Sequence, residues 1–491
     1  MSSTSRTRWL FAGQLGPVFD DGGPIMIVEA RSVFGRRPMH RAKAHLILSA
    51  LRHRAAELGD RVEYHRVERY SEVVTGRDDL EVIDPTSWSA RRFVRRHGMA
   101  VLPSRGFVTS EPEFAEWAAG RQGSRLLLDD FYRTVRRRTG LLMRGDQPEG
   151  GRWNYDHDNR QPPPKNAARL GLPDPWWPEE DEIDAEVRDD LDRWQREGAV
   201  ELVGDDGPRR FAATHDEATR ALEDFIGSRL NDFGPFEDAM LGGDWTMAHS
   251  LLSAPLNLGL LDPLEVAERV VAEYHAGRAP LAGVEGFVRQ LVGWRDYVWH
   301  LYWHLGETYP ARSDYLGAHE PLPEAFRTLD PSMIEATCLR ETVDGMRRHG
   351  WAHHIQRLMV LGNWALQHGY DPVALNDWFV DMFVDGTPWV MPANVIGMSQ
   401  HADGGIVATK PYASGGAYIN RMSDYCGACV FDPKVRLGEN ACPFTAGYWA
   451  FLDRVEPRIR GNQRMAQPLA GLRGLADRKA VVDQERHRER W

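Results

Sequence analysis

The hydrophobic pattern of the chain changes near residue 145 and again near residue 214, and these changes limit the folds that it can adopt. Between residues 8 and 140, short apolar runs alternate with amphipathic helical stretches, which is typical of parallel strands joined by helices. From Thr214 to about residue 460 nearly every segment has helical spacing. The sequence therefore predicts a Rossmann-like α/β N-terminal domain followed by an all-α C-terminal domain.

The same changes divide the chain into four predicted segments. They are an α/β domain at 1–144, a Gly/Pro-rich and then acidic surface connection at 145–213, a helical domain at 214–461 and a charged tail at 462–491. The final stretch, Arg473–Trp491, is expected to be a frayed helix. A helix is expected from His40 to Leu58. Strands are expected at 9–12, 25–29, 62–67, 80–83 and 99–102.

The composition is that of an ordinary globular protein. Hydrophobic residues make up 42% and charged residues 27% of the 491 residues, so a large core can be buried. No apolar run reaches the length of a membrane span, and the start of the chain lacks the apolar core of a secretory signal. We expect a cytoplasmic monomer. The net charge of −11 argues against a surface covered with basic patches, although a local basic rim is compatible with it.

Three of the four cysteines follow the pattern C-x2-C-x12-C-P, formed by Cys426, Cys429 and Cys442, and Cys338 lies upstream. A C-x-x-C turn points two sulfurs the same way, and thiolates bind soft metals. The Cys-Pro pair is similar to ferredoxin-type cluster loops. So few cysteines in a chain without a signal sequence favour a metal site over disulfides. Zinc, an iron–sulfur cluster and unrelated buried thiols all remain open from spacing alone.

Several strings, in order along the chain, are similar to a known family. They are GQL at 13–15, RRRTGLLM at 136–143, GGRWNYDHDNRQP at 150–162, HSLLS at 249–253, VEGFVRQLVGWRDY at 284–297, HHIQRLM at 353–359, NVIGMSQHADGG at 394–405 and YINRMSDYC at 418–426. Together with the placement of the four cysteines, they resemble the iron–sulfur bacterial cryptochromes and photolyases, also called prokaryotic (6-4) photolyases.

This resemblance implies a photolyase/cryptochrome fold with FAD in the helical domain, and Cys338, Cys426, Cys429 and Cys442 as ligands of a 4Fe-4S cluster. It also implies light-driven repair of (6-4) pyrimidine–pyrimidone photoproducts flipped out of UV-damaged DNA. A blue-light receptor of the same fold and a zinc-binding helical protein without flavin are the alternatives. The lesion type stays open, because cyclobutane and (6-4) dimers are repaired by the same electron-donor chemistry.

By resemblance, six residues surround the flavin. Serine hydroxyls at the start of a helix suit its phosphates, while an arginine and an acid–amide pair lie beside its ring. Ordinary alternatives are a helix N-cap, an ion pair with a neighbouring carboxylate and a turn. The residues are Ser250, Leu252, Ser253, Arg295, Asp385 and Asn394.

The resemblance also assigns the proton and electron donors. Repair of a (6-4) lesion needs a proton donor near neutral pH, which a histidine supplies; His354 is the expected catalytic acid and His353 its helper. A satisfied core histidine is the alternative. Trp378 is the expected flavin-proximal electron donor and Tyr418 a further relay. Phe379 stands where a tyrosine is expected, and phenylalanine is hard to oxidise.

Two further expectations concern ligands outside the flavin site. The family carries an antenna, 6,7-dimethyl-8-ribityllumazine, but Gly13 and Val33 stand here where acidic residues are expected. We therefore predict weak or absent lumazine binding. Binding of DNA requires cations around the flavin cavity. The candidates are Arg340, Arg347, Arg348, Lys410 and Arg421.

Overall fold

The computed structural model of the protein describes residues 6–121 and 125–491. Residues 1–5 and 122–124 of the predicted segment 1–144 lie outside this range. Residues 1–5 also begin the stretch in which a secretory signal would lie. The strands of the described chain are β1 Thr7–Leu10, β2 Ile25–Ala30, β3 Met39–His40, β4 Val62–Val67, β5 Leu80–Ile83, β6 Ala100–Leu102, β7 Met143–Arg144, β8 Gln147–Pro148 and β9 Leu202–Val203.

Five of these strands form one parallel sheet in the order β4-β2-β1-β5-β6. In its register, Trp9 lies opposite Met26 on one side and Val82 on the other, and all three pack in a core on one face. Leu10, Ile27 and their neighbours belong to the main core on the other face. A sheet covered on both faces explains why β2 has successive apolar residues from Ile25 to Val28, which pack alternately on the two faces.

Helices surround the sheet and continue into the connection. They are α1 Arg41–Leu58, α2 Ser71–Val74, α3 Trp88–Arg96, α4 Glu111–Ala119, α5 Leu128–Thr139, α6 Asp156–Asn159 and α7 Glu182–Arg196. The segment 145–213, predicted as a connection over the surface, thus contains a 15-residue helix, α7. Asp181 caps α7, and Val187 and Leu191 pack against Phe34 and Leu48 of the α/β domain.

The rest of the chain is helical, as predicted. Its α-helices are α8 His215–Ser228, α9 Leu230–Phe236, α10 Ser253–Asn257, α11 Pro263–His275, α12 Leu281–Val288, α13 Asp296–Leu305, α14 Tyr309–Arg312, α15 Glu324–Thr328, α16 Thr337–His349, α17 Asn363–His368, α18 Pro372–Met382, α19 Gly416–Met422, α20 Pro443–Ile459, α21 Ala466–Arg473 and α22 Arg478–Arg486.

Three π-helical segments interrupt this domain: Arg289–Arg295, Gln356–Gly362 and Ala393–Ser399. Such segments are rare and often mark functional sites. The first ends at the predicted flavin residue Arg295, the second follows His353 and His354, and the third contains Asn394. Local helix geometry therefore changes where the sequence predicts the site.

The C-terminal tail differs from the frayed helix that its charge predicts. Helices α21 and α22 pack on α20, with Leu469, Leu472 and Val481 buried. The final residue, Trp491, stacks on Trp364 at 5.1 Å between ring centroids. Apolar residues among the charges thus anchor the tail. Within residues 6–121 and 125–491, no helix has the length and apolar character that a membrane crossing requires.

Candidate functional site

The serine-containing loop before α10 has an unusual backbone. Met247 and Leu251 both have positive φ, 47° and 57°, a region that non-glycine residues rarely adopt and that is often found at functional sites. Leu252 is buried at the N-cap position of α10, and its N–H donates to the Ser250 hydroxyl at 3.4 Å. Ser253 is the first residue of α10, so all three predicted residues lie at one helix start.

Hydrogen bonds connect α10 to the other predicted flavin residues. The side-chain amide of Asn257 donates to the carbonyl of Asp385 at 2.9 Å, and Arg295 donates to the carbonyl of Leu256 at 3.1 Å. Asn394 accepts a hydrogen bond from the indole of Trp294, next to Arg295, at 3.0 Å. The structure therefore brings together the six residues that the resemblance assigned to the flavin.

Arg295 joins the two domains within this group. Its guanidinium also donates to the carbonyl of Gly106 at 2.9 Å, and burial lowers the pKa of Arg295 to about 10. The carboxylate of Asp296 accepts the N–H groups of Val108 and Thr109. Instead of the simple ion pair that the sequence allows, both residues hold the loop at 106–109 against the helical domain.

An ion pair that sequence reasoning missed supports Asp385. Arg357 donates two hydrogen bonds to its carboxylate, both at 2.9 Å, which is the strong bidentate geometry. The guanidinium lies 4.1 Å from the ring centroid of Phe383. Arg357 belongs to the HHIQR string, so its position was visible in the sequence, but its partner lies 28 residues away.

A buried lysine of the α/β domain reaches the same segment. Nζ of Lys43 on α1 donates to the carbonyls of Val380 and Gly386. Burial lowers the pKa of Lys43 to about 8, against the opposing effect of Asp381 and Asp385. Lys43, like Arg295, therefore fixes the domains around the site.

The two predicted electron donors lie in different surroundings. The indole of Trp378 donates to the carbonyl of Phe326 at 2.8 Å, and its ring lies 6.0 Å from that of Phe383, which contacts Arg357. Tyr418 lies beside Arg421, and Asp238 raises its pKa together with burial. No aromatic contact within the described residues joins Tyr418 to Trp378.

The predicted catalytic histidines differ in exposure. The side chain of His354 is 51% exposed, and its Nε2 lies 3.3 Å from Oδ1 of Asp238. His353 is buried and stacks on His249 at 4.7 Å. Burial lowers the pKa of His249 and of His353 well below the ordinary value, and the charges of His354 and Arg357 act in the same direction. Only His354 thus faces solvent.

Two adjacent carboxyl groups accompany His354. Burial raises the pKa of Glu237 to about 7, against the effect of the His354 and Arg289 charges. For Asp238, burial acts to raise the pKa, but the hydrogen bond and charge of His354 and the charges of Arg160 and Arg289 together hold it below the ordinary value. Neither acid was recognised from the sequence.

Replacing Glu237 by glutamine is expected to stabilise the protein above pH 7. A carboxyl group with a raised pKa in the folded state takes up a proton on folding, so its contribution is present below the unfolded pKa of 4.5 and is lost as the pH rises through 7. The loss is at most about 3 kcal/mol. The two proteins should have similar melting temperatures near pH 4.5, diverge as the pH rises from 4.5 to 7, and differ by a constant amount above 7; parallel pH profiles between 4.5 and 7 would contradict this.

The four cysteines line one small pocket, with Tyr425 and Phe444. None forms a disulfide. Burial raises the pKa of Cys338 far above the ordinary value, and the other three thiols act in the same direction. At Gly416, a Cβ atom would lie 2.7 Å from Sγ of Cys442, so glycine is required beside the pocket.

The donor set of this pocket suits a soft metal centre. Four thiols can ligate either a structural zinc ion or an iron–sulfur cluster, so the residues that line the pocket fit the cluster that the resemblance implies.

The surroundings of Gly13 are filled. A Cβ atom at this position would lie 3.2 Å from the carbonyl oxygen of Asn257 and 3.7 Å from the hydroxyl of Thr86. The side chain of Gln14 donates to the carbonyl of Ile83 at 3.1 Å. This loop therefore packs on the helical domain.

Most predicted DNA-binding cations are partly neutralised. Arg347 and Arg348 pair with Asp344, and Arg340 lies 3.8 Å from Glu341. Lys410 and Arg421 are exposed. A further cation that the sequence did not single out, Arg160, is 56% exposed, pairs with Asp156 and lies 3.7 Å from Asp238. Arg160 and Arg421 both act on the pKa of Tyr418, so they lie on the His354 side of the molecule.

Solved structures share this architecture. A crystal structure of a bacterial class III photolyase from Agrobacterium tumefaciens matches 92% of this chain and 97% of its own, with a TM-score of 0.58 at 15% identity. A cryptochrome from Synechocystis sp. PCC6803 matches 98% of each chain, with a TM-score of 0.54 at 12% identity. The fold is therefore that of the photolyase/cryptochrome class, as predicted.

Sequence comparison narrows this class. The model of the family described as "Deoxyribodipyrimidine photo-lyase-related protein" matches residues 14–200. A protein of Agrobacterium fabrum named (6-4) photolyase is 44% identical over 456 residues, covering 88% of this chain and 87% of the relative. The chain belongs to this family of photolyase-related proteins, which confirms the resemblance inferred from the motif strings.

Proposed function

We propose that the protein is a light-dependent DNA lyase that repairs (6-4) pyrimidine–pyrimidone photoproducts. The observation that carries this proposal is the exposed His354, hydrogen-bonded to Asp238 and adjoining the loop before α10 through the stacked rings of His353 and His249. Repair transfers an oxygen group between two bases, and this step requires an acid. His354 is such an acid at an accessible surface of the predicted flavin site. The 44% identical (6-4) photolyase supports the same substrate class.

FAD fits the residues around α10. Ser250 and Ser253 would hold its phosphates, Asp385 and Asn394 would face its ring, and Arg295 would fix the surrounding loop. Nε of Arg295 and the hydroxyl of Thr387 are buried without a protein partner, so polar groups remain for a ligand. When bound and reduced, FAD supplies a light-excitable electron donor. The Arg357–Asp385 ion pair keeps this segment in place.

Residues of the protein itself supply the proton and position the reacting groups. His354 donates a proton from its ring to the oxygen group that moves back between the bases, and Asp238 orients the imidazole through the 3.3 Å contact with Nε2. His353, buried behind it, positions the pair. The electron given to the lesion returns at the end of repair, so there is no net oxidation or reduction.

Illumination of the reduced protein with oligonucleotides that carry each lesion tests the proposal. We expect repair of the (6-4) photoproduct and none of the cyclobutane dimer. Repair of the cyclobutane dimer alone would show that this dimer, and not the (6-4) photoproduct, is the substrate. Repair of neither by protein that retains flavin would favour the blue-light receptor of the same fold.

DNA binding is expected to depend on the cations near His354. Arg421→Ala should weaken binding of damaged and undamaged duplexes alike and reduce the slope of log K against log salt by about 1, because it removes a phosphate contact. Arg348→Ala is the matched control, since this arginine is paired with Asp344. Equal salt slopes for both variants and the wild type would exclude Arg421 from the binding surface.

We propose a 4Fe-4S cluster at Cys338, Cys426, Cys429 and Cys442. The four cysteines that line one pocket, and their match to the cluster ligands of the family, support it. Its ligands come from the start of α16 and from the segment between α19 and α20, so the cluster would link parts of the helical domain that are distant in sequence.

We propose that the protein carries no lumazine antenna. The missing acids at Gly13 and Val33 remove hydrogen-bond acceptors, and Asn257 and Thr86 occupy the space beside Gly13. Purified protein is expected to release FAD but no 6,7-dimethyl-8-ribityllumazine when its pigments are extracted and separated. Stoichiometric lumazine in the extract would reject this prediction.

A further inference from the structure

We propose that His249, His353 and His354 form a binding site for a transition-metal ion such as Zn²⁺, and that an ion bound there blocks repair. Each of the three side chains offers one ring nitrogen, and these nitrogens lie within 4.8 Å of one another. The effect on repair rests on the proposed function of His354, whereas the metal site itself does not.

Coordination requires a small closure and the rotation of a ring. Ring nitrogens bound to Zn²⁺ at 2.0–2.1 Å are roughly 3.4 Å apart in a tetrahedral site, so the present separation must shorten by about 1.4 Å at most. His249 and His353 are buried and stacked, with an angle of 20° between their rings. Because the lone pair of a ring nitrogen lies in the plane of its ring, one of these two rings must also turn before both nitrogens face one ion. His354 is half exposed, so its side chain has room to rotate toward them.

Unpaired nitrogens in the cluster indicate a missing ligand. Both ring nitrogens of His353, and Nε2 of His249, are buried without a hydrogen-bond partner among the described residues. Buried polar atoms in folded proteins are almost always paired, and each exception calls for an explanation such as a bound ion. A metal ion would satisfy one nitrogen on each ring and leave a fourth position for water.

The electrostatics of the site suit a cation held by neutral imidazoles. Burial lowers the pKa of His249 and of His353, so these rings do not have to lose a proton before they bind metal. Asp238 contacts His354, and the buried carboxyl oxygen Oε2 of Glu237 has no partner; both carboxyls offset positive charge. Three imidazoles select Zn²⁺, Cu²⁺ or Ni²⁺ over Mg²⁺ or Ca²⁺.

A second group with similar spacing lacks this evidence. His53, Asp181 and Asp184 also lie within 4.8 Å of one another. However, Asp181 caps α7, and Asp184 pairs with Arg209 and accepts a hydrogen bond from Ser49. These side chains are already paired within the fold, whereas His249 and His353 have buried ring nitrogens without a partner among the described residues.

Binding is tested on untagged holoprotein with Zn²⁺ as the probe. Zinc K-edge X-ray absorption is expected to show a shell of nitrogen and oxygen at about 2.0–2.1 Å, whereas zinc at the cysteines would show sulfur at about 2.3 Å. His354→Ala should lower zinc affinity at least ~10-fold in equilibrium dialysis, since it removes a ligand. The exposed His487→Ala is the matched control and should bind like the wild type.

A sulfur-only shell, or equal zinc affinity in wild type and His354→Ala, would overturn the metal site. His249→Asn, which removes a buried ligand, should also lower the zinc affinity; if this variant is unstable, the surface variant His354→Ala decides alone. Zn²⁺ should also inhibit repair reversibly, with recovery after chelation and no effect of equal Mg²⁺. Repair that is unaffected by saturating zinc would overturn the proposed inhibition. Absence of repair before zinc is added would instead reject the proposed function; the X-ray absorption result would then still test the metal site.

Discussion

Replacing His354 by alanine is expected to slow repair of the (6-4) photoproduct by at least ~100-fold, because a positioned general acid contributes that much or more. The side chain is 51% exposed, so its removal creates no cavity and should leave the fold and the flavin content unchanged. Repair is measured under illumination with saturating reduced protein, and flavin content by absorption after gel filtration.

Two further variants separate catalysis from structure. Asp238→Asn keeps the size of the side chain but removes the negative charge beside Nε2, so it should lower the rate less and shift its pH profile. His487→Ala removes another exposed histidine, at the end of α22, and should repair like the wild type. Repair by His354→Ala at the wild-type rate would remove His354 from the mechanism, whatever the other variants show.

The fold was predictable where local sequence determines structure. Strands β4 and β5 begin and end at the predicted residues, 62–67 and 80–83, because each is a short segment with β-branched or aromatic residues. The packing of α7 and of the C-terminal tail was not predictable in this way. Both are rich in charge, and their few apolar residues, such as Leu191 and Trp491, have meaning only once their partners are known.

The candidate site was likewise predictable only in part. The resemblance singled out His354, Asp385 and the residues at the start of α10, but their partners come from distant parts of the chain. Asp238 lies 116 residues before His354, and no local pattern connects them. The clustering of His249 with His353 likewise depends on how the loop before α10 meets the second π-helical segment, which is a property of tertiary packing.

Replacing Cys338 by serine is expected to abolish the metal centre and most of the soluble protein. Serine is a poor ligand for a soft metal centre, and Cys338 is 6% exposed in the core of the helical domain. Structural metal binding contributes on the order of 10 kcal/mol to folding, comparable to the whole stability of a domain. Iron and sulfide per chain, flavin content and the melting temperature should all fall together.

Thr445→Ser is the matched control, since it changes a side chain beside the pocket and keeps the hydroxyl that binds Gly416 and Pro433. It should retain iron and melt like the wild type. Zinc in place of iron in anaerobically purified wild type would reject the cluster but keep the structural role. A stable, iron-loaded Cys338→Ser protein would reject Cys338 as a ligand.

Because the four thiols share one buried pocket, loss of any one is expected to release the whole group, so Cys429→Ser should behave like Cys338→Ser even though Cys429 is less buried.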